Sequence, residues 1–187
     1  MHIRSTRRAL PAALMLLALA ASAATLLTTD PAKSSVSATF KQMGVPVEAK
    51  FKKFTAQIVY NPAAPDASTA KVDIEVGSFD LGDADMNTEV LKKEWFNAAQ
   101  YPKASFASSA IQAGPAGKLT VTGKLSIKGK AANVSFPLSV KNEAGKQVFE
   151  GALPIKRLAF NIGDGEWRDT GTVADEVIIK FRVTVAQ

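Results

Sequence analysis

No cysteine occurs in the 187 residues, which removes disulfides, thiolate nucleophiles and cysteine-ligated zinc or iron–sulfur sites together. Histidine occurs once, as His2, within a leader expected to be cleaved. The working chain then has no imidazole for general acid–base catalysis, a Ser-His-Asp arrangement or an HExxH zinc site. Long apolar runs are equally scarce. Beyond the first two dozen residues, none approaches the roughly 20 residues that span a bilayer.

Those first residues differ from the rest. Arg4, Arg7 and Arg8 stand without an acid, then comes the apolar run ALPAALMLLALA, then Ala21-Ser22-Ala23, the small-x-small pattern of a signal-peptidase site. Residues 1–23 therefore read as a secretory signal peptide and 24–187 as a single domain. Cleavage would remove three arginines and no acid, taking the formal net charge from +6 to +3. Export without cysteine points to a bacterial periplasm, where a fold manages without disulfides.

From about residue 34 the chain alternates with period two. In Lys71-Val72-Asp73-Ile74-Glu75-Val76 every second residue is apolar and the others charged, the pattern of a strand with one wet face. The alternation returns at Leu119 to Ile127, Ala132 to Val140 and Val177 to Val185. Between Phe51 and Phe54 the apolar parity shifts, and a bulge at Lys52-Lys53 would absorb the extra residue and bend a long strand as barrels require. Turn residues fall between the runs, at 61–66, 114–117, 128–130, 142–145 and 163–165. Only Ala84 to Phe96 reads as helix, with Asp83 or Asp85 able to cap it and Lys92-Lys93 near its C-terminus. The expectation is an all-β antiparallel barrel of about eight strands with one short inserted helix.

Several chemical motifs come close and fail. Gly-Lys occurs four times, at Gly117, Gly123, Gly129 and Gly145, never followed by Ser or Thr, so there is no P-loop. Asp83-x-Asp85-x-Asn87 with Glu94 imitates a calcium loop, but Thr88 stands where the turn needs Gly, and helix capping accounts for the same acids, so no metal is assigned. Lysines are dispersed along strand-like segments rather than gathered, which argues against nucleic acid as a partner. The carboxylates Glu166 and Asp169, flanking Trp167, are the candidates for a hydrolase, against the simpler reading of a solvated loop.

What remains is the interior. The inward rows place Phe40, Phe51, Phe54, Phe106, Phe136, Phe160 and Phe181 among small residues such as Ala38, Ala49, Ala56, Gly123 and Ala132. Small residues either leave volume or complete a close-packed core. A cavity there would be almost wholly apolar and suited to a hydrocarbon-like chain.

The residues also resemble a known family. Thr29-Asp30-Pro31-Ala32-Lys33-Ser34-Ser35-Val36 with Phe40, then Met43-Gly44-Val45 leading to Lys50-Phe51-Lys52-Lys53-Phe54, is similar to the opening of the YceI-like bacterial periplasmic proteins. Gly77-Ser78-Phe79-Asp80, Glu94-Trp95-Phe96-Asn97, Tyr101-Pro102-Lys103-Ala104-Ser105-Phe106, Gly123 to Gly129, Lys156 to Gly163 and Gly165-Glu166-Trp167 follow in the family's order. The resemblance implies a lipocalin-like barrel holding a polyisoprenoid or isoprenoid quinone, with no enzyme activity and no cofactor. The alternation and the resemblance together give Phe40, Met43, Phe51, Phe54, Ala56, Ile58, Ile74, Trp95, Phe96, Phe106, Leu125, Phe136, Phe160, Trp167 and Phe181 as the expected ligand-lining set. Where many members carry a histidine in the first hairpin this chain has Gln42. The Gly-Glu-Trp segment resembles the subgroup associated with an inner-membrane b-type cytochrome, implying that cytochrome as a partner and a quinone-related stress response. A filled barrel acting as an interaction module, and a homodimer of two barrels, stay open.

Overall fold

The computed structural model describes residues 25–186, so the signal-peptide assignment to residues 1–23 lies outside the described residues. Eleven strands form one antiparallel sheet: β1 (Thr25–Thr29), β2 (Ser35–Gln42), β3 (Val45–Phe51), β4 (Phe54–Tyr60), β5 (Thr69–Glu75), β6 (Phe79–Asp80), β7 (Lys103–Ala113), β8 (Leu119–Ile127), β9 (Lys130–Glu143), β10 (Lys146–Lys156) and β11 (Val173–Ala186). Their order is β1-β4-β5-β7-β8-β9-β10-β11-β2-β3-β6, and β1 also pairs with β11.

The order simplifies once collinear pieces are joined. β2 pairs with β3 and β1 with β4, so β1 and β2 form one bent stave and β3 and β4 its neighbour. β5 and β6 form a third, since β5 pairs with β4 and β6 with β3. The result is an eight-stave up-and-down barrel, closed where β11 meets the first stave through Thr29↔Val185 and Arg182↔Ser35.

Local chemistry explains the joints. Three hairpins turn through two residues with positive φ at both, Met43-Gly44, Lys128-Gly129 and Ala144-Gly145. That backbone twist matches the right-handed twist of the flanking strands, and glycine takes the second position without steric cost. The parity shift falls where expected. β3 ends at Phe51 and β4 begins at Phe54, and the intervening Lys52-Lys53 lets Ala49, Ala56 and Ile58 all turn inward while Gln57 faces water.

The helix is shorter than expected. α1 covers Ala84–Glu89, with the Asp83 carboxylate accepting from the Met86 N–H at 2.9 Å. At about 100° per residue a continued helix would swing Phe96 roughly 120° away from Val90. Instead the chain leaves the helix, the Phe96 N–H donates to the Val90 carbonyl at 3.0 Å, and both side chains face the barrel interior. The core is the inner face of the barrel, from Leu27 and Ala38 through Val121 and Leu153 to Val185.

Candidate ligand-binding lumen

The barrel is not filled by its own side chains. Its interior holds two apolar chambers, of about 200 Å³ and about 110 Å³, with Ile179 bordering both. The larger lies at the end where the β2–β3 hairpin, α1 and the segment after β10 meet. The smaller is walled by β2, β4, β5, β7, β8, β9, β10 and β11. Together they fall near the lower edge of the roughly 300–1,000 Å³ usual for ligand sites. A slender hydrocarbon suits such a space better than a bulky ring system.

Eleven of the expected lining residues border these chambers. Phe40, Phe51, Trp95, Phe96 and Trp167 line the larger, and Ile58, Ile74, Phe106, Leu125, Phe136 and Phe181 the smaller. The other four stand elsewhere. Ala56 and Phe160 are buried in the core and border neither chamber, Phe54 faces an outer groove, and Met43 is 77% exposed at the hairpin tip. Met43 leaves the inward row because its φ of 49° places it in the turn itself.

Two of the inward small residues make room for aromatic rings. A Cβ on Gly123 would sit 2.6 Å from the Phe106 ring, and one on Gly151 would overlap the ring of Phe181, its cross-strand partner. The rings of Phe106, Phe136 and Phe181 thereby meet in sequence across the smaller chamber, the first pair tilted and the second edge-on, with centroids 5.5 Å apart at each step. Tyr60 packs edge-on to Phe149 at 5.3 Å, and burial raises its phenol pKa.

The larger chamber is bordered by the most deeply buried charged residue among those described, Arg157, 2% exposed. Its five N–H groups all meet carbonyl oxygens: Nε donates to Ala174 at 3.1 Å, Nη1 to Ile162 at 2.8 Å and Gly163 at 3.2 Å, Nη2 to Trp167 at 2.6 Å and Val173 at 2.7 Å. Guanidinium has five donors, so its capacity is exhausted. Burial, the dominant influence, lowers its pKa. Gly163, at φ 80°, approaches so closely that a Cβ there would collide with Nη1. Above the guanidinium lies the Trp95 ring, 5.8 Å from Cζ to centroid, and Trp95 in turn meets Trp167 at 5.3 Å. The Trp95 Nε1–H is buried without an acceptor.

Arg157 was legible in principle. It continues the inward row Phe149, Gly151, Leu153, Ile155 of β10, an arginine where the pattern asks for an apolar residue.

The candidate catalytic acids have other surroundings. Asp169 accepts from the Gly171 N–H at 3.0 Å and from Thr172 through N at 3.2 Å and Oγ1 at 2.7 Å, and the Thr172 hydrogen bond is the main cause that lowers its pKa. A glycosidase acid needs the opposite shift. Glu166 is exposed in the 3-10 turn Gly165–Arg168. Asp83 caps α1, and Asn87 donates to Asp80 at 2.8 Å and accepts from the Leu81 N–H at 2.7 Å, so the calcium-like spacing serves the helix start.

A profile of the YceI-like domain matches residues 27–185. A UPF0312 protein of Shewanella sp. (strain W3-18-1) is 30% identical over 142 residues, 75% of this chain and 71% of its own length. Among solved structures, Burkholderia cenocepacia BcnA is 53% identical with a TM-score of 0.81, covering 83% of this chain and 98% of that one. A polyisoprenoid binding domain from Saccharophagus degradans, implicated in plant cell wall breakdown, is 17% identical with a TM-score of 0.68, covering 86% and 97%. That last likeness is one of fold.

Proposed function

The chain belongs to the YceI-like family, and from that premise we propose that it is a periplasmic lipid-binding protein holding a polyisoprenoid or isoprenoid-quinone-like molecule in its lumen. The observation that carries the reading is the pair of apolar chambers, bordering the same Ile179, inside the barrel. Burying hydrocarbon there gains roughly 25 cal/mol per Å² removed from water, and the lumen sets no unpaired charge against it. The polyisoprenoid-binding neighbour has the same fold. An inner-membrane b-type cytochrome is the partner proposed for exchange of the lipid, and the basic, apolar and small-residue leader supports export.

Organic extraction of protein purified from a periplasmic fraction, followed by mass spectrometry, tests the proposal. A prenyl chain or prenyl quinone in stoichiometric amount is expected, on a polypeptide beginning near Ala24. Protein that carries no lipid would instead favour an interaction module with a partner docked on its surface.

A further inference from the structure

Of the four methionines in the sequence, Met1 and Met15 fall in residues 1–23, so Met43 and Met86 are the thioethers of the expected mature chain. Both stand at the end of the barrel that holds the larger chamber. Met43 is 77% and Met86 47% exposed, and with Val45 they make three of the four large apolar side chains that the described residues leave in water. The fourth, Leu26, belongs to β1.

The two methionines differ in one respect. Met43 occupies the first turn position of the β2–β3 hairpin, where its N–H donates to the Thr172 carbonyl at 2.8 Å, and it borders neither chamber. Met86 lies in α1, a helix with no buried residue, yet it borders the larger chamber together with Glu89 of the same helix and Gln42 of the hairpin. One part of its side chain thus meets water and another the apolar lining. Leucine has nearly the same bulk and would cover the same lining. What methionine adds is a polarisable sulfur within reach of an oxidant. With no cysteine in the chain, no thiol competes for that oxidant.

The lining is poorly equipped to receive an added oxygen. Besides the two tryptophans, its polar side chains are Gln42, Glu89 and Arg157. Arg157 is spent on five carbonyls, and Glu89 is a carboxylate paired with Lys92. A sulfoxide oxygen on Met86 is hydrated at the exposed side of the residue, and that water must be shed before hydrocarbon covers the same lining.

We propose that Met86 is an oxidation site at the rim of the lumen, where a peroxide converts the thioether to the sulfoxide and so weakens the hold of the larger chamber on a hydrocarbon chain. The sulfur attacks one oxygen of the peroxide, an S–O bond forms as the O–O bond breaks, and the departing hydroxide takes the proton of the transferred oxygen to leave as water. Sulfur loses two electrons and the peroxide gains them. Methionine sulfoxide reductases reverse the change. Met43, the more exposed, is oxidised too, without effect on the lumen. The inference rests on the lumen being a lipid site and adds a chemical signal to which that site responds.

The test applies hydrogen peroxide to the mature chain stripped of lipid, reads oxidation at each methionine by peptide mass mapping, and measures farnesol binding by calorimetry before and after. Oxidation of Met86 is expected to weaken farnesol binding roughly tenfold, about 1.4 kcal/mol, and the two epimer-specific sulfoxide reductases to restore it. M43L should show the same loss on oxidation. M86L, compared with itself before peroxide, should change by less than about twofold. Four results overturn the inference and leave the lumen reading standing: Met86 unoxidised beside an oxidised Met43, an affinity that holds when Met86 is fully oxidised, a loss of the same size in M86L, or a loss that persists once the reductases have returned the mass to that of the untreated chain. Untreated chain that does not bind farnesol overturns the lumen reading, and this inference with it.

Discussion

Replacing Arg157 with methionine keeps the bulk of the side chain and removes all five N–H groups. The carbonyls of Ile162, Gly163, Trp167, Val173 and Ala174 stay where the backbone holds them and lose this donor. Hydrogen bonds to a charged group contribute about 1.5–3 kcal/mol each, but five such bonds to one group do not add, and water can reach part of the vacated space. A buried acceptor left unsatisfied costs about 1–3 kcal/mol, and with more than one of the five left so a loss of roughly 3–5 kcal/mol is expected here. For a domain of this size each kcal/mol lowers Tm by about 2–4 °C, so the variant should melt at least about 6 °C lower.

Thermal unfolding followed by circular dichroism at the sheet band measures the loss. The near-ultraviolet signal of the Trp95–Trp167 pair reports the local effect, because Nη2 holds the Trp167 carbonyl and the guanidinium lies over Trp95. Arg157→Lys should fall between the two, keeping the charge but offering three donors to five acceptors. An Arg157→Met chain within about 0.5 kcal/mol of the parent would refute the reasoning. A lysine variant indistinguishable from the parent would show that charge, not the five-donor geometry, is what matters.

Gly151→Ala should force the Phe181 ring toward Phe136, costing about 1–3 kcal/mol by overpacking and reducing extractable lipid; pairing it with Phe181→Leu should recover stability, measured by the same melts. Asp80 accepts from Lys52, Asn87 and the Gly82 N–H, and these bonds lower its pKa from 3.8 to about 2. A carboxylate depressed in the folded state contributes stability above its unfolded pKa and loses it as pH falls through the folded one. The parent should therefore lose stability between about pH 4 and pH 2, and Asp80→Asn should flatten that part of a denaturation–pH profile. An unchanged slope in the variant would show that other carboxylates govern the acid limb.

Much of the barrel was legible because alternation and turn chemistry agree. The shift from Phe51 to Phe54 announced the bend at Lys52-Lys53, and glycines at 129 and 145 marked hairpins whose geometry needs them. β10 was harder to read. Val148 and Phe149 are both buried, which breaks the period, and Gly151 and Pro154 argue locally against a strand. The helix was overextended because capping and charge at its start say nothing about where tertiary packing will end it. Here Phe96 meets Phe51 at 6.3 Å and Phe79 at 5.3 Å, contacts that periodicity could not report. Small inward residues were ambiguous for a physical reason: Ala38 borders a chamber, whereas Gly123 and Gly151 lie beneath rings.

An arginine inside the barrel is tolerable because fixed carbonyl dipoles surround it, and that same saturation leaves it no donor for a ligand. The chamber it borders can then stay receptive to hydrocarbon despite a charge in its wall. Binding that depends on the lumen should accordingly be insensitive to salt, and farnesol binding that weakened steeply in a salt titration would show that charge takes part.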